Sequence, residues 1–151
     1  MSGVDESSAK SAMALVEAAI AALGIDPAAA RVPSAAAPQW ALRRGSARIF
    51  VGVHDDGGDG LLRLIAPVVK LPDEASRPAL FAHLLELNAR ELAGVAFGIT
   101  GADVVLVSQR SLRDLDRSEV DAALAAIGRA ADHHDDALSK RFGTVRSTDA
   151  G

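Results

Sequence analysis

Five consecutive residues, Asp132-His133-His134-Asp135-Asp136, form the densest run of potential metal ligands in the chain. His133 and Asp136 stand three apart, so on a helix they share a face. A stable site needs a third or fourth ligand from elsewhere. Local sequence offers none, and the pair His133 and Asp136 is rejected as a metal site. His134 falls between Ala131 and Leu138 on an apolar stripe, the place of a hydrogen-bonded interior histidine, and the acidic neighbours read as a solvated face. In the loop Asp55 to Gly60, Asp55, Asp59 and Gly60 fit positions one, five and six of a calcium loop. Gly57 stands where a ligand belongs and Ala66 where the bidentate glutamate belongs, so the loop reads as a turn.

Nucleophilic chemistry finds as little support. There is no cysteine, which excludes disulfides, thiolate metal sites and a cysteine nucleophile. Neither a P-loop, nor a GxGxxG fingerprint, nor a GxSxG elbow is present. Ser46 and Ser108 have no local histidine or carboxylate partner, and Asp114 and Asp116 are explained by helix capping. No catalytic residue and no cofactor is expected; a hydrolase with a dispersed site is the remaining catalytic alternative. Arg43, Arg44 and Arg48 form a basic cluster that could meet an acidic protein segment, or a charged sheet rim balanced by Asp55 and Asp56. Asn88 reads as structural, tying down backbone at its helix end or in the following loop.

The elements that would carry these residues follow from hydrophobic periodicity. Met13, Val16, Ile20 and Leu23 give a first helix from about Ser8 to Leu23. An Ala- and Pro-rich linker, Asp26 to Pro38, follows it. Strands are expected at Gln39–Arg44, Ala47–His54 and Leu61–Lys70. In the second, Ile49, Val51 and Val53 oppose Arg48, Phe50, Gly52 and His54. Pro67 places the third strand at an edge or at a bend. A second helix begins near Ser76 with Leu80, Leu84 and Leu87 on one stripe. Strands Gly94–Thr100 and Asp103–Arg110 come next. Asp116 with Glu119 makes a capping box for a last helix that Gly143 ends.

The resulting order, α-β-β-β-α-β-β-α, predicts an α+β sandwich: a five-stranded, mainly antiparallel sheet with helices packed on it. Residues 8–143 form one domain, with residues 1–7 and 144–151 expected to be disordered. If the helices cover one sheet face, the other carries Phe50, Ile65, Val69, Val105 and Val107 among Arg48, Arg63 and Gln109. So apolar a face marks a partner or dimer interface, unless the last helix or the linker covers it. Trp40, Leu42, Phe50, Ile65, Val105 and Val107 are the expected partner-binding residues. With net charge -4 and 3% aromatic residues, the chain has neither the cations nor the stacking platforms of a nucleic-acid binder. No apolar run approaches the ~20 residues of a membrane helix, and no signal peptide is visible. The absence of cysteine fits a reducing cytosol.

Several short segments carry a family resemblance: Leu71-Pro72, the run Leu84-Leu85-Glu86-Leu87-Asn88, Val95-Ala96-Phe97-Gly98-Ile99, Val104-Val105-Leu106-Val107, Leu115-Asp116 and Ala131-Asp132. Through them the chain from about Leu71 to Phe142 resembles the YbjN family, which shares its fold with type III secretion chaperones of the CesT class. The resemblance implies a bacterial, cytoplasmic, often dimeric chaperone-like domain without catalytic residues. Chaperones of that class hold extended client segments, and YbjN relatives are described as regulators of stress or sensory responses. The leading expectation is therefore a protein-binding chaperone or adaptor. A signalling regulator binding a small ligand is the alternative.

Overall fold

The computed structural model describes residues 6–149. The expected disorder of the first residues lies outside this range over 1–5, while positions 6 and 7 are already helical. Helix α1, Glu6–Ala22, buries Ala12, Val16, Ala19 and Ile20. Its apolar stripe is thus rotated towards small residues, and Leu23 stays exposed beyond its end. The linker contains one turn of helix, α2 (Pro27–Ala30), capped by the Asp26 side chain, with proline in its first turn.

Strands β1 (Gln39–Arg44), β2 (Ala47–His54) and β3 (Leu61–Lys70) form the meander read from the sequence. Helix α3 spans Arg77–Arg90, after a 3-10 turn at Glu74–Ser76. Strands β4 (Ala96–Thr100) and β5 (Asp103–Ser111) form the second hairpin. Helix α4 runs from Arg117 to Phe142. Asp116 caps it by accepting the Glu119 backbone N–H, and Gly143 ends it in the left-handed conformation at φ 64°. The carboxyl of Asp116 is held below its usual range by the Ser118 hydroxyl and the Glu119 N–H.

All five strands pair antiparallel in the order β1-β2-β3-β5-β4. The long helices share one hydrophobic core with one face of this sheet, where Val16, Ile20, Leu80, Leu84, Leu124 and Ile127 meet Ile49, Val51, Leu64 and Leu106. Pro67 marks a bend rather than an edge, because β3 is an interior strand whose register shifts between Pro67 and Val69. The extra residue turns Val69 inward, opposite Val104. Val69 therefore leaves the outer face on which simple alternation places it.

The chain after α4 does not trail away. Thr144 Oγ1 donates to the Lys70 carbonyl at 2.7 Å, and Lys70 N donates to the Val145 carbonyl. Ser147 Oγ donates to Asp103, and Arg146 pairs with Asp149 and Asp136. Over residues 144–149 the expected disordered tail is instead tied to the end of β3, because α4 delivers it beside the backbone groups that β2 leaves unpaired there.

Candidate functional site

Strand alternation assigns the outer face of the sheet residue by residue. Ala41 stands opposite Phe50, Phe50 opposite Ile65, Ile65 opposite Val107, and Val107 opposite Ala96. These five side chains make an apolar row across every strand. On one side runs the row Gln39, Gly52, Arg63, Gln109; on the other, Pro67, Val105 and Gly98 lie beside the pair Arg43 and Arg48. None of the α-helices lines this surface, and its one helical border is the short 3-10 turn Ser147–Asp149, whose Ser147 and Thr148 stand beside Phe50 and Pro67 at the Arg43–Arg48 end. Two adjoining shallow depressions of about 250 and 360 Å³ share Phe50, Pro67 and Asp103.

The face is cationic although the chain is acidic. Arg43 and Arg48 are directly opposed in register, and like charges so placed destabilise a sheet. Neither they nor Arg63 forms an ion pair among the described residues. Arg48 lies over the Phe50 ring, 5.0 Å from its centroid. Gln109, its amide oxygen turned to accept, receives Arg63 Nε and Nη2 at 3.0 and 3.1 Å. Asp55 and Asp56 do not balance the arginines. Their carboxylates accept the N–H groups of Gly57, Gly58 and Gly60, closing the loop as the turn expected there. Arg44 points to the other side, its stem against Gly128 of α4, and leaves the cluster. Burial, and then the Arg63 charge, lower the pKa of His54 below the usual imidazole value.

The anticipated partner-binding residues divide by face. Phe50, Ile65 and Val107 lie half-buried on the open face, and Val105 is on the same side but buried, only 2% exposed. Trp40 and Leu42 do not: they stand opposite Val51 and Ile49 and are buried beneath the helices. Their alternation with Gln39, Ala41 and Arg43 carries that information in the sequence. Trp40 is held under Arg31, 4.9 Å from the ring centroid, and has no role on the surface.

Both free edges of the sheet are partly closed. Beside β1, Val32 N donates to the Gln39 carbonyl at 2.8 Å, and Arg31 bridges to Trp40. Beside β4, Asn88 of α3 accepts the Phe97 N–H at 2.7 Å and donates to the Phe97 carbonyl at 3.3 Å. This is the structural role anticipated for Asn88, reaching a strand rather than its own helix end. Next to it, Phe81, Leu84, Leu85, Phe97 and Ile99 line an apolar groove in which Leu85 is 68% and Ile99 47% exposed.

The acidic histidine run separates into three jobs. Asp132 and Asp135 both accept from the Ser46 hydroxyl, the latter at 2.7 Å, and Asp132 also accepts Ser46 N at 3.0 Å. These bonds anchor the β1–β2 turn to α4. Gly45 is required there, since at φ +61° a Cβ would stand 2.4 Å from Asp132 Oδ2. Asp136 faces Arg146, 3.8 Å away, and is not brought to His133. His134 is interior as anticipated, yet it makes no hydrogen bond among the described residues. It meets Phe97 edge-on, with ring centroids 5.4 Å apart, and burial, with the neighbouring His133, lowers its pKa.

Two solved structures share this architecture. One, described as the crystal structure of the ExsC-ExsE complex, aligns at TM-score 0.57 and 17% identity over 83% of this chain and 92% of that one. The other, the HopA1-SchA chaperone-effector complex, aligns at TM-score 0.60 and 14% identity over 86% of this chain and 96% of that one. At such identities the likeness speaks to the fold. No curated protein shows significant similarity to the chain. Residues 11–150 match the family described as T3SS (YopN, CesT) and YbjN peptide-binding chaperone 1, which covers every element that builds the open face, and the chain belongs to that family, TY-Chap1.

Proposed function

We propose that the protein is a non-catalytic, cytoplasmic peptide-binding chaperone or adaptor that lays an extended segment of a partner protein on the open face of its sheet. The observation that carries this reading is the row Ala41, Phe50, Ile65, Val107 and Ala96, on the side of the sheet away from the α-helices, flanked by Arg43, Arg48 and Arg63 and bordered at one end by the 3-10 turn Ser147–Asp149. An extended peptide places alternate side chains on one side. The occupant that suits this face has apolar residues two apart, with aspartate or glutamate nearby to meet the opposed arginines. The face is favoured over the edges, because the Val32 and Asn88 contacts already occupy backbone groups of both edge strands. The membership of a peptide-binding chaperone family supports the same use. The reading without catalysis rests on the serines: Ser46 meets two carboxylates instead of an imidazole, and Ser108 is buried on the helix side.

The test is capture on an array of overlapping segments from the proteins encoded beside this chain. Acidic segments with alternating apolar residues should be retained, and retention should fall when aspartates and glutamates in them become asparagine and glutamine. Retention indifferent to that exchange would remove the arginines from the mechanism.

Homodimerisation fits the second apolar surface, the groove with Leu85 and Ile99, because two large exposed side chains beside a partly closed edge suit a two-fold contact. Light scattering should give twice the chain mass at tens of micromolar, and Leu85→Lys should give the single mass. A wild-type protein of single mass would end the dimer reading and leave client binding intact.

A further inference from the structure

The strongest remaining feature lies outside the open face and does not depend on the client-binding reading. At the C-terminal end of α3, Glu91 approaches His133 and His134 of α4, and one ligand atom from each lies within 4.8 Å of the others. His134 is only 6% exposed, and no hydrogen bond from a described residue occupies its ring nitrogens. Phe97, edge-on to it at an interplanar angle of 77°, fixes the ring's attitude. Adjacent helical residues do not ordinarily face each other. Here the rings of His133 and His134 nonetheless approach to 4.7 Å.

We propose that Glu91, His133 and His134 bind a divalent transition-metal cation of the zinc class. Two imidazoles and a carboxylate are a borderline donor set suited to zinc, with the fourth tetrahedral position left to water. Bonds of about 2.0–2.2 Å place tetrahedral ligand atoms roughly 3.3–3.5 Å apart. The present separations require a closure of about 1.5 Å at most, which exposed Glu91 and His133 supply by rotation around buried His134. Such an ion would staple the end of α3 to α4. Asp136, the neighbour that sequence spacing pairs with His133, is engaged with Arg146 and takes no part.

The measurement is calorimetric titration of zinc chloride into the metal-free full chain without a polyhistidine tag, with cobalt(II) absorption as a second readout. One ion should bind per chain, and cobalt should show the visible bands of a tetrahedral site. Glu91→Gln and His133→Ala, both at exposed positions, should each weaken binding by about tenfold or more. Their metal-free melting temperatures should stay unchanged, and Asp136→Asn should bind as wild type. Absence of saturable heat, or wild-type affinity in Glu91→Gln and His133→Ala, would overturn the assignment.

Discussion

The variant Phe50→Asp should lose affinity for a captured segment by on the order of 100-fold, or about 2.7 kcal/mol, while its melting temperature moves by only a few degrees. Phe50 is the largest side chain in the apolar row and stands beside Ile65 at its centre, and a few big groups carry most of the energy of such a contact. Its removal leaves the core intact, since it lies on the side away from the helices. The new carboxylate would enter the neighbourhood of Arg48, now stacked on the ring, so the folded state tolerates it. The neighbouring variant Val51→Asp is the contrast: Val51 is fully buried against the helices, and an unpaired charge there unfolds the domain. Isothermal titration on both variants, with circular dichroism as the fold check, decides the matter. Full affinity in Phe50→Asp would move the binding site off this face, and unfolding of Phe50→Asp would return Phe50 to the core.

Asn88→Ala should cost about 2–3 kcal/mol of stability in urea unfolding. The amide makes two bonds to one residue, accepting from Phe97 N and donating to the Phe97 carbonyl. Alanine leaves both backbone groups without their partner beside a buried phenyl ring, and the methyl replaces neither bond. The exposed neighbour Glu86 provides the control, with Glu86→Ala within about 0.5 kcal/mol of wild type. A loss below about 0.5 kcal/mol in Asn88→Ala would show that water replaces the amide without cost.

Much of this architecture was legible from local chemistry. The three strands of the meander fall on the expected residues, because Ile49, Val51 and Val53 alternate strictly and Gly45-Ser46 and Asp55 to Gly60 punctuate them. The bounds of α4 were equally plain from Asp116, Glu119 and Gly143. The outer face was legible at Phe50, Ile65, Val105 and Val107, and misread at Val69, where a bulge breaks the two-residue period. Trp40 and Leu42 were assigned by size rather than by alternation, which places them inside. The one-turn helix α2 was hidden in an Ala-rich linker, although Asp26 followed by Pro27 is a start signal. Contacts across the chain were beyond any local pattern: Ser46 with Asp132, Arg146 with Asp136, and above all Glu91 with His133 and His134.

The strand order also fixes a sequence of events. Synthesis delivers β1, β2 and β3 together, and they can pair at once through short turns. Strand β5, the other neighbour of β3, leaves the ribosome only after α3 and β4. Until then the whole length of β3, ten residues rich in leucine and valine, borders solvent with half of its ladder open. Such an edge recruits other chains. Pro67, which withholds a donor from that strand and bends it at the bulge, breaks the run where a nascent neighbour would otherwise zip along it. A member of a peptide-binding chaperone family is itself, for the time it takes to make about forty residues, a strand in need of shelter.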